Sequence, residues 1–214
     1  MIGLGYRREM SDWDMSAVQA DFFEVAPENW VHRDLTPLHQ LIASGRPVHL
    51  HGVSLNLGGS SPLDLAFLRA VRELMQKEVQ HLSKFGHQLP KKLQFGAMLE
   101  VPALAETLDI LLPKINFLSI GTNDLTQFLF AADRADPRLA ERYDWLSPAI
   151  LRFIRRVVKA TEGHDVDVAV CGEMGGRTLE ALALMGVGIR RLSITPAAVG
   201  PIKAMIRSAR HADV

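Results

Sequence analysis

The chain lacks most of the features that mark secreted, membrane-bound and nucleic-acid-binding proteins. It has 214 residues and one cysteine, so no internal disulfide can form, and its first residues lack the basic-then-apolar order of a signal peptide. No apolar run approaches the roughly twenty residues that span a bilayer. Its 24 basic and 24 acidic side chains balance, which argues against a nucleic-acid partner. We therefore expect a soluble, cytoplasmic protein.

Short apolar runs alternate with helix-compatible segments along the whole chain. Apolar residues make up 48% of the sequence, enough for a single domain with a sizeable core. Strand and helix in alternation predict a parallel sheet with helices outside it. The predicted fold is a TIM-like parallel β/α barrel with seven strands, one strand-helix unit short. The predicted strands begin at Ile2, Phe22, Val48, Phe95, Phe117, Val168 and Arg191.

A long helix stands where the missing strand is expected. No good strand pattern lies between His51 and Phe95. Instead, Ser61 and Pro62 begin a helix whose apolar face continues to Gly86, a length of roughly 35 Å. Two arrangements remain open. Either the barrel closes with seven strands, or the ring stays open and a second chain covers its edge, which makes a homodimer a serious alternative.

Serine-proline and threonine-proline pairs begin several predicted helices, because proline suits the first helical turn. Glycines end several of them. The predicted helices cover residues 11–19, 36–45, 61–86, 103–112, 147–161, 178–185 and 201–209.

Two carboxylates follow successive predicted strands. Glu100 comes after the strand that begins at Phe95, and Asp124 comes after the strand that begins at Phe117. In parallel α/β units, ligands meet the carboxyl ends of the strands. An acidic side chain at that edge needs a cation, an arginine or backbone donors to offset its desolvation. For either residue alone, capping of the following helix is an equally good interpretation, and Asp124, just before LTQFL, could do that.

Long motifs follow one another in order over residues 78–207. They are GAMLEVPA, FLSIGTNDLTQF, AADR, LSPAIL, VCGEMGG and LSITPAAVGPIK. This segment resembles the C-terminal part of the PEP-utilising (βα)8 barrel of enzyme I of the sugar phosphotransferase system and of its nitrogen-related paralogue.

That resemblance implies a role for five residues. Glu100 and Asp124 would bind Mg²⁺, which prefers one or two carboxylates plus substrate oxygens. Asn123 and Arg134 would contact the phosphate of phosphoenolpyruvate, to which arginine offers a bidentate fork. Cys171 would exchange a proton with the enolate carbon, helped by a pKa lowered by a nearby metal and arginine. The alternative for Cys171 is a small buried apolar residue.

The first part of the chain carries different motifs. Residues 1–74 contain IGLGYR, DFFEVAPENW and VHLHGVSLNLGG, and they resemble the N-terminal third of the multinuclear non-haem iron-dependent oxidase family of barrels. The resemblance implies His51 as an iron ligand. One histidine does not make a multinuclear site, and a core or rim role is favoured for both His49 and His51, which share one strand face. Glu28 and Asn29 are interpreted as turn and cap residues.

The two resemblances divide one predicted domain into an oxidase-like segment, 1–74, a junction within the long helix, 75–86, and an enzyme I-like segment, 87–214. The early strands of enzyme I carry arginines that contact the phosphate, and this chain has other sequence there. Arg7 and Arg8 follow its first strand. The sequence also has no Gly-rich motif ahead of a phosphorylatable Ser-His pair. This pattern predicts a chimera of two barrels, engineered or selected in the laboratory.

Three functions are compatible with these observations. The first is a stable chimeric barrel with no evolved catalytic activity, for which no cofactor is expected. The second is residual Mg²⁺-dependent binding of phosphoenolpyruvate or pyruvate through Glu100, Asp124 and Arg134, a small phosphorylated ligand being the partner. The third and weakest is an iron-dependent oxidase.

Overall fold

The computed structural model of the chain is a closed barrel of parallel strands. It describes residues 2–15, 17–25, 34–50, 65–89 and 92–209. Within these residues the strands are β1 (Ile2–Gly5), β2 (Phe22–Val25), β3 (Val48–Leu50), β4 (Leu93–Leu99), β5 (Phe117–Gly121), β6 (Asp167–Cys171) and β7 (Leu192–Ile194).

Every strand pairs in parallel with the next one along the chain, and β1 pairs with β7 to close the ring. The predicted seven-stranded β/α barrel is therefore confirmed for the part of the chain that the structure describes. The alternative of an open ring completed by a second chain is wrong, because no edge is left between β1 and β7. Whether the closed barrel forms a dimer stays a prediction.

Eight α-helices lie in the described residues. They are α1 (Thr36–Ala43), α2 (Leu65–Lys84), α3 (Pro102–Ala105), α4 (Leu108–Leu111), α5 (Thr122–Phe130), α6 (Pro148–Ala160), α7 (Thr178–Gly186) and α8 (Pro196–Ser208). Short 3-10 turns cover Arg8–Met10, Leu112–Lys114, Pro137–Arg142 and Glu173–Gly176. None of the helices described is long and apolar enough to cross a membrane.

Three predicted helices differ from those observed. The helix predicted over 11–19 is absent from its described residues, which form turns and bends after Arg8–Met10, as suits the serine and aspartates of that segment. The helix predicted over 103–112 is divided into α3 and α4, and Thr107 between them donates its hydroxyl to the Leu104 carbonyl at 3.0 Å, a local bond that competes with a continuous helix. The last helix begins at Pro196 and carries Pro201 inside it.

Large aromatic rings and glycines together fill part of the barrel interior. A Cβ added to Gly3 would lie 2.2 Å from the Phe22 ring, and one added to Gly96 would lie 2.5 Å from the Phe117 ring. The His49 ring stacks between these two, at 4.8 Å from the Phe22 centroid and 5.0 Å from that of Phe117. Small residues beside large ones are the usual way to pack a narrow barrel. The glycines are thus required by the rings beside them.

The main hydrophobic core lies between the barrel and its outer helices. Leu118, Ile120 and Val170 point outward from β5 and β6 and belong to one cluster with Ile154 and Val157 of α6. The predicted Ser147 cap of α6 is confirmed, since the Ser147 hydroxyl accepts the Ala149 N–H at 3.3 Å. This packing fixes the ends of β5 and β6, where the predicted site residues follow.

Among its described side chains, the helix α2 packs along one edge. It has 20 residues, a length of about 30 Å. Val71 and Met75 touch the main core, and the Arg72 guanidinium lies over the Phe95 ring at 5.3 Å. Leu74 on the other side remains 67% exposed. The long helix predicted here is confirmed from Leu65 onward, and its start at Ser61 lies outside the described residues.

Candidate functional site

Glu100 and Asp124 meet at the carboxyl rim of the barrel. Glu100 is the first residue after β4, and Asp124 lies in the first turn of α5, directly after β5. Burial, the charge of Asp124 and a hydrogen bond between the two carboxyl groups together raise the pKa of Glu100 to about 7, and the charge of Arg134 opposes them. A Cβ on Gly121 would lie 2.6 Å from Glu100 Cγ. The glycine at the end of β5 therefore lets the two acids approach.

Asp124 pairs with an arginine and does not cap its helix. Its Oδ1 lies 3.4 Å from Arg134 Nη1, and both side chains are partly exposed. The N-cap residue of α5 is Gly121, so the capping interpretation of Asp124 is wrong. The loop that carries Arg134 is held to α5 by Gln127, whose Oε1 accepts the Arg134 N–H at 3.3 Å and the Tyr143 hydroxyl at 3.5 Å.

Asn123 joins α5 to the turn that follows β6. Its Oδ1 accepts the Glu173 N–H at 3.1 Å, so its amide nitrogen is the part that can donate to a phosphate. Beside it, the Thr122 hydroxyl donates to the Cys171 carbonyl at 3.1 Å. Gly172 has a φ of +106°, and a Cβ there would lie 2.6 Å from Thr122 Oγ1. Glycine is required at this close approach.

Cys171 ends β6 beside these residues. Its thiol is a free one and lies 3.6 Å from the Ile120 carbonyl oxygen, to which it donates. Burial raises the pKa of the thiol, the carboxyl groups of Glu24 and Glu100 raise it too, and a hydrogen bond from Ser119 opposes them. The side chains around Cys171 thus raise the pKa of its thiol, because two acids lie near it, and the lowering by a nearby metal and arginine stays a prediction.

Glu24 is a polar residue of the interior that the sequence patterns did not single out. It is 2% exposed, and Ser119 Oγ donates to its Oε1 at 3.4 Å. Ser193 also bonds to the carboxyl group, while burial raises its pKa to about 7. Its Oε2 is buried without a hydrogen-bond partner. The sequence signal that could have identified Glu24 is that it is the single charged residue in the otherwise apolar strand FFEV.

His49 is a core residue, as favoured from the sequence. It is 3% exposed between its two aromatic neighbours, and its Nδ1 has no hydrogen-bond partner. Burial lowers its pKa, with the charge of Arg191 as the next cause. Arg7 is exposed, and the side chain of Arg8 is not described. The remaining residues named for the first part of the chain lie outside the described residues: Glu28, Asn29 and His51.

The rim fits Mg²⁺ better than it fits iron. Within the described ranges no three His, Cys, Asp or Glu side chains are grouped to hold a metal ion. Magnesium needs only one or two carboxylates when water and ligand oxygens complete its octahedron, and the neighbouring carboxyl groups of Glu100 and Asp124 meet that need. The imidazole of His49, stacked between two rings inside the barrel, does not suit an iron ligand set.

Two family models match the sequence. One, described as PEP-utilising enzyme, PEP-binding domain, matches residues 64–211, and the other, RiPP precursor modification enzyme MbnB/TglH/ChrH, matches residues 1–120. The chain belongs to both families. The PEP-binding match contains Glu100, Asn123, Asp124 and Arg134, whereas Glu24 lies in the modification-enzyme match alone. The two-part resemblance seen in the sequence is thus confirmed at the level of family.

Curated relatives of the PEP-binding part are much longer than this chain. The phosphoenolpyruvate-dependent phosphotransferase system protein of Escherichia coli K12 is 37% identical over 145 residues, which are 68% of this chain and 19% of that protein. The phosphoenolpyruvate-protein phosphotransferase of Haloferax volcanii is 40% identical over 148 residues, or 26% of its length. The multiphosphoryl transfer protein of Xanthomonas campestris is 45% identical over 116 residues, or 14% of its length. The chain thus spans between about a seventh and about a quarter of the length of these proteins.

Solved structures share the fold at low sequence identity. An HpcH/HpaI aldolase/citrate lyase family protein from Burkholderia cenocepacia superposes on all of this chain and 95% of its own, with a TM-score of 0.58 and 14% identity. Haloferax volcanii malate synthase covers 98% of this chain and 74% of its own, with a TM-score of 0.54 and 12% identity. At such identities the likeness concerns the barrel alone.

Proposed function

We propose that the chain binds Mg²⁺ together with phosphoenolpyruvate or pyruvate at the rim site, defined as Glu100, Asn123, Asp124 and Arg134, and that it does not transfer the phosphoryl group. The observation that carries the proposal is that Glu100 and Asp124 lie close enough to interact while Arg134 Nη1 lies 3.4 Å from Asp124 Oδ1. The match to the PEP-binding domain family over these residues supports it.

Each residue of the rim site has a separate part in binding. Glu100 and Asp124 would hold the metal, and Mg²⁺ when bound supplies charge that stabilises an enolate and bridges phosphate oxygens. Arg134 is half exposed, so its ion pair with Asp124 is a weak one. The guanidinium can therefore turn to a phosphate, which it matches with two parallel donors. Asn123 would donate its amide N–H to the same group.

The other side of the barrel supports binding without transfer. Strands β1, β2 and β3 contain no arginine, and they send Phe22, Glu24 and His49 into the interior. Loss of a single donor aimed at transition-state charge costs about 3–4 kcal/mol. A barrel that has phosphate-binding donors on one side alone is expected to bind the ligand without transferring its phosphoryl group. This expectation agrees with the absence of evolved catalysis predicted from the sequence.

We propose that the chain arose by recombination of two parent barrels, engineered or selected in the laboratory. This is the origin that the sequence motifs indicated. The two family matches overlap over residues 64–120, and α2 lies inside that overlap. A junction in a helix preserves strand order and register on both sides. The predicted junction at 75–86 covers the second half of this helix and the two residues that follow it.

A thermal-shift titration tests the proposed ligand. With 10 mM Mg²⁺ and phosphoenolpyruvate at roughly ten times its dissociation constant, the melting temperature is expected to rise by about 3 °C. Either component alone is expected to give less than half that rise. Asp124→Asn is expected to remove the rise, because it takes away one of the two metal-binding carboxylates.

The matched control is Asp109→Asn, which removes an exposed carboxylate on α4 and is expected to keep the full rise. Pyruvate formation from phosphoenolpyruvate is followed in the same samples and is expected to stay at the buffer rate. No rise at about 10 mM ligand, or an equal rise with Asp124→Asn, contradicts the proposed site.

A further inference from the structure

Glu24 lies inside the barrel, and the proposed function does not use it. Its side chain leaves β2 and reaches β5, where the Ser119 hydroxyl donates to its Oε1 at 3.4 Å. Glu24 is 2% exposed, and its Oε2 is buried without a hydrogen-bond partner among the described residues. Buried carboxylate oxygens normally accept hydrogen bonds. One acceptor of this acid therefore remains available to a donor that the described part of the chain does not supply.

The carboxyl group of Glu24 lies one layer of side chains below the rim site. Ser119 and Gly121 are two residues apart on β5, so both face the interior. Gly121 lies beside Glu100, since a Cβ on this glycine would lie 2.6 Å from Glu100 Cγ. Two residues of a strand rise roughly 6–7 Å. Because Glu24 is bonded to Ser119, this rise is the spacing between its carboxyl group and the level of Glu100.

Small side chains line the layer that holds the Glu24 carboxyl group. Gly5 is in register with Glu24 on β1, and a Cβ there would lie 3.8 Å from Ser193 Oγ of β7. Ala169 on β6 is in register with Ser119. The interior of a small barrel is normally filled by side chains. A glycine, an alanine and two serines therefore leave more room in this layer than the aromatic rings leave elsewhere in the barrel.

The layer is reached from the rim. Toward the amino ends of the strands, the rings of Phe22, His49 and Phe117 stack across the interior. Met98 faces the interior in register with Ser119 and is partly exposed. Because the ring of strands is closed and the stack fills its other end, an inward side chain at this level meets solvent through the carboxyl end of the barrel.

A ligand of the rim site has the right length to reach Glu24. Arg134 is half exposed, so the anionic end of a 2-oxo acid would lie at the outer edge and its C3 carbon would point into the barrel. The three bonds from the carboxyl carbon to a hydroxyl oxygen on C3 span roughly 4 Å. A hydrogen bond adds about 2.8 Å. Together they match the spacing of one layer.

We propose that Glu24 selects the ligand of the rim site by its substituent at C3, and that the preferred ligands are 3-hydroxy-2-oxo acids whose hydroxyl donates to Glu24 Oε2. This inference rests on the proposed function, because the 2-oxo acid must first bind with Mg²⁺ at the rim. A ligand that lacks the hydroxyl takes the place of water and leaves the buried acceptor unpaired, so the site discriminates against it. Glu24 thus adds specificity from the half of the barrel that carries no rim-site residue.

The test compares hydroxypyruvate with 2-oxobutanoate, two ligands that differ by a hydroxyl or a methyl group at the same position. Their dissociation constants are measured by titration calorimetry with excess Mg²⁺ at pH 8, above the pKa of about 7 that burial gives Glu24. Hydroxypyruvate is expected to bind about tenfold more tightly. Glu24→Leu keeps a similar side-chain volume without an acceptor, and it is expected to reduce the preference to about twofold or less.

Ser193→Ala is the matched control, because it removes a hydroxyl from the same layer and leaves Glu24 in place. It is expected to keep the preference within about threefold of that of the unaltered chain. Equal dissociation constants in the unaltered chain overturn the inference, whatever the variants do. A tenfold preference that persists in Glu24→Leu also overturns it, because the metal would then bind the hydroxyl. A loss in Ser193→Ala as large as that in Glu24→Leu overturns the assignment to Glu24.

The thermal shift with Mg²⁺ and phosphoenolpyruvate separates this inference from the proposed function. Phosphoenolpyruvate has no hydroxyl on C3, so its shift is expected to be the same in Glu24→Leu and in the unaltered chain. A normal shift with equal binding of the two 2-oxo acids overturns the role of Glu24 and leaves the rim site in place. No shift with phosphoenolpyruvate and no binding of either 2-oxo acid overturns both.

Discussion

Phe117→Ala is expected to lower the free energy of unfolding by about 4 kcal/mol. Phe117 is 1% exposed, its ring covers Gly96 inside the barrel, and His49 stacks on its face. Because Gly96 has no side chain and both faces of the ring are used, neighbours cannot fill the space that the ring leaves. Urea unfolding followed by circular dichroism measures the difference.

A double-mutant cycle with Gly96 tests the packing account directly. Gly96→Ala alone is expected to cost about 2 kcal/mol, since its Cβ would lie 2.5 Å from the Phe117 ring and overpacking costs about 1–3 kcal/mol. In the Phe117→Ala background the same change is expected to be neutral or stabilising. Phe128→Ala, at a residue 53% exposed, serves as the control and is expected to change stability by about 0.5 kcal/mol or less. Additive effects of the two interior changes contradict the complementarity of ring and glycine.

Glu24→Gln is expected to stabilise the protein at pH 8 by roughly 3 kcal/mol and to leave its stability at pH 4 nearly unchanged. The pKa of Glu24 is about 7 in the folded chain, against an ordinary value of 4.5. Between these values the folded state binds a proton that the unfolded state does not. The free energy of unfolding therefore falls as pH rises from about 4.5 to about 7, and the loss is complete above the folded pKa.

Glutamine has nearly the same shape and stays neutral, so it removes this penalty at high pH. Urea unfolding of both proteins at pH 4, 6 and 8 measures the effect as a difference that widens with pH. Glu73→Gln, at an exposed position on α2, is the control and is expected to show no such widening. A constant difference across the three pH values contradicts a charged Glu24 at pH 8.

Sequence patterns predicted the strands well because the apolar run that forms each strand is local in the sequence. The starts at Ile2, Phe22, Val48 and Phe117 agree with the observed strands, and the others differ by one or two residues. The short runs are apolar on both faces, as buried parallel strands are. Closure of the ring by β1 and β7 could not be predicted, because it depends on the curvature of the whole sheet and on no local residue.

The helix errors have local causes of a different kind. Proline was taken as a start signal at Pro201, but Pro196 supplies the same signal five residues earlier, and the helix continues through the second proline. Thr107 interrupts its segment by bonding to a carbonyl three residues back. Both outcomes depend on which of two competing signals the tertiary packing favours.

The site was predictable in position and less so in chemistry. The contact between Glu100 and Asp124 followed from their places after neighbouring strands. The pKa of Cys171 did not follow from its neighbours in sequence, because the two acids that raise it are contributed by β2 and by the end of β4. Glu24 was missed for the same reason, since its partners Ser119 and Ser193 are 95 and 169 residues away along the chain.

The stack of His49 between Phe22 and Phe117 also makes the barrel interior visible to spectroscopy. Both faces of the imidazole lie against rings at interplanar angles of 26° and 23°, so ring currents from two sides shield its carbon-bound protons. Their resonances are expected upfield of those of an exposed histidine such as His164. One of the rings is contributed by β2 and the other by β5, on opposite sides of α2 in sequence. The chemical shift of a single histidine thus reports whether the two parts of the chain have closed into one barrel.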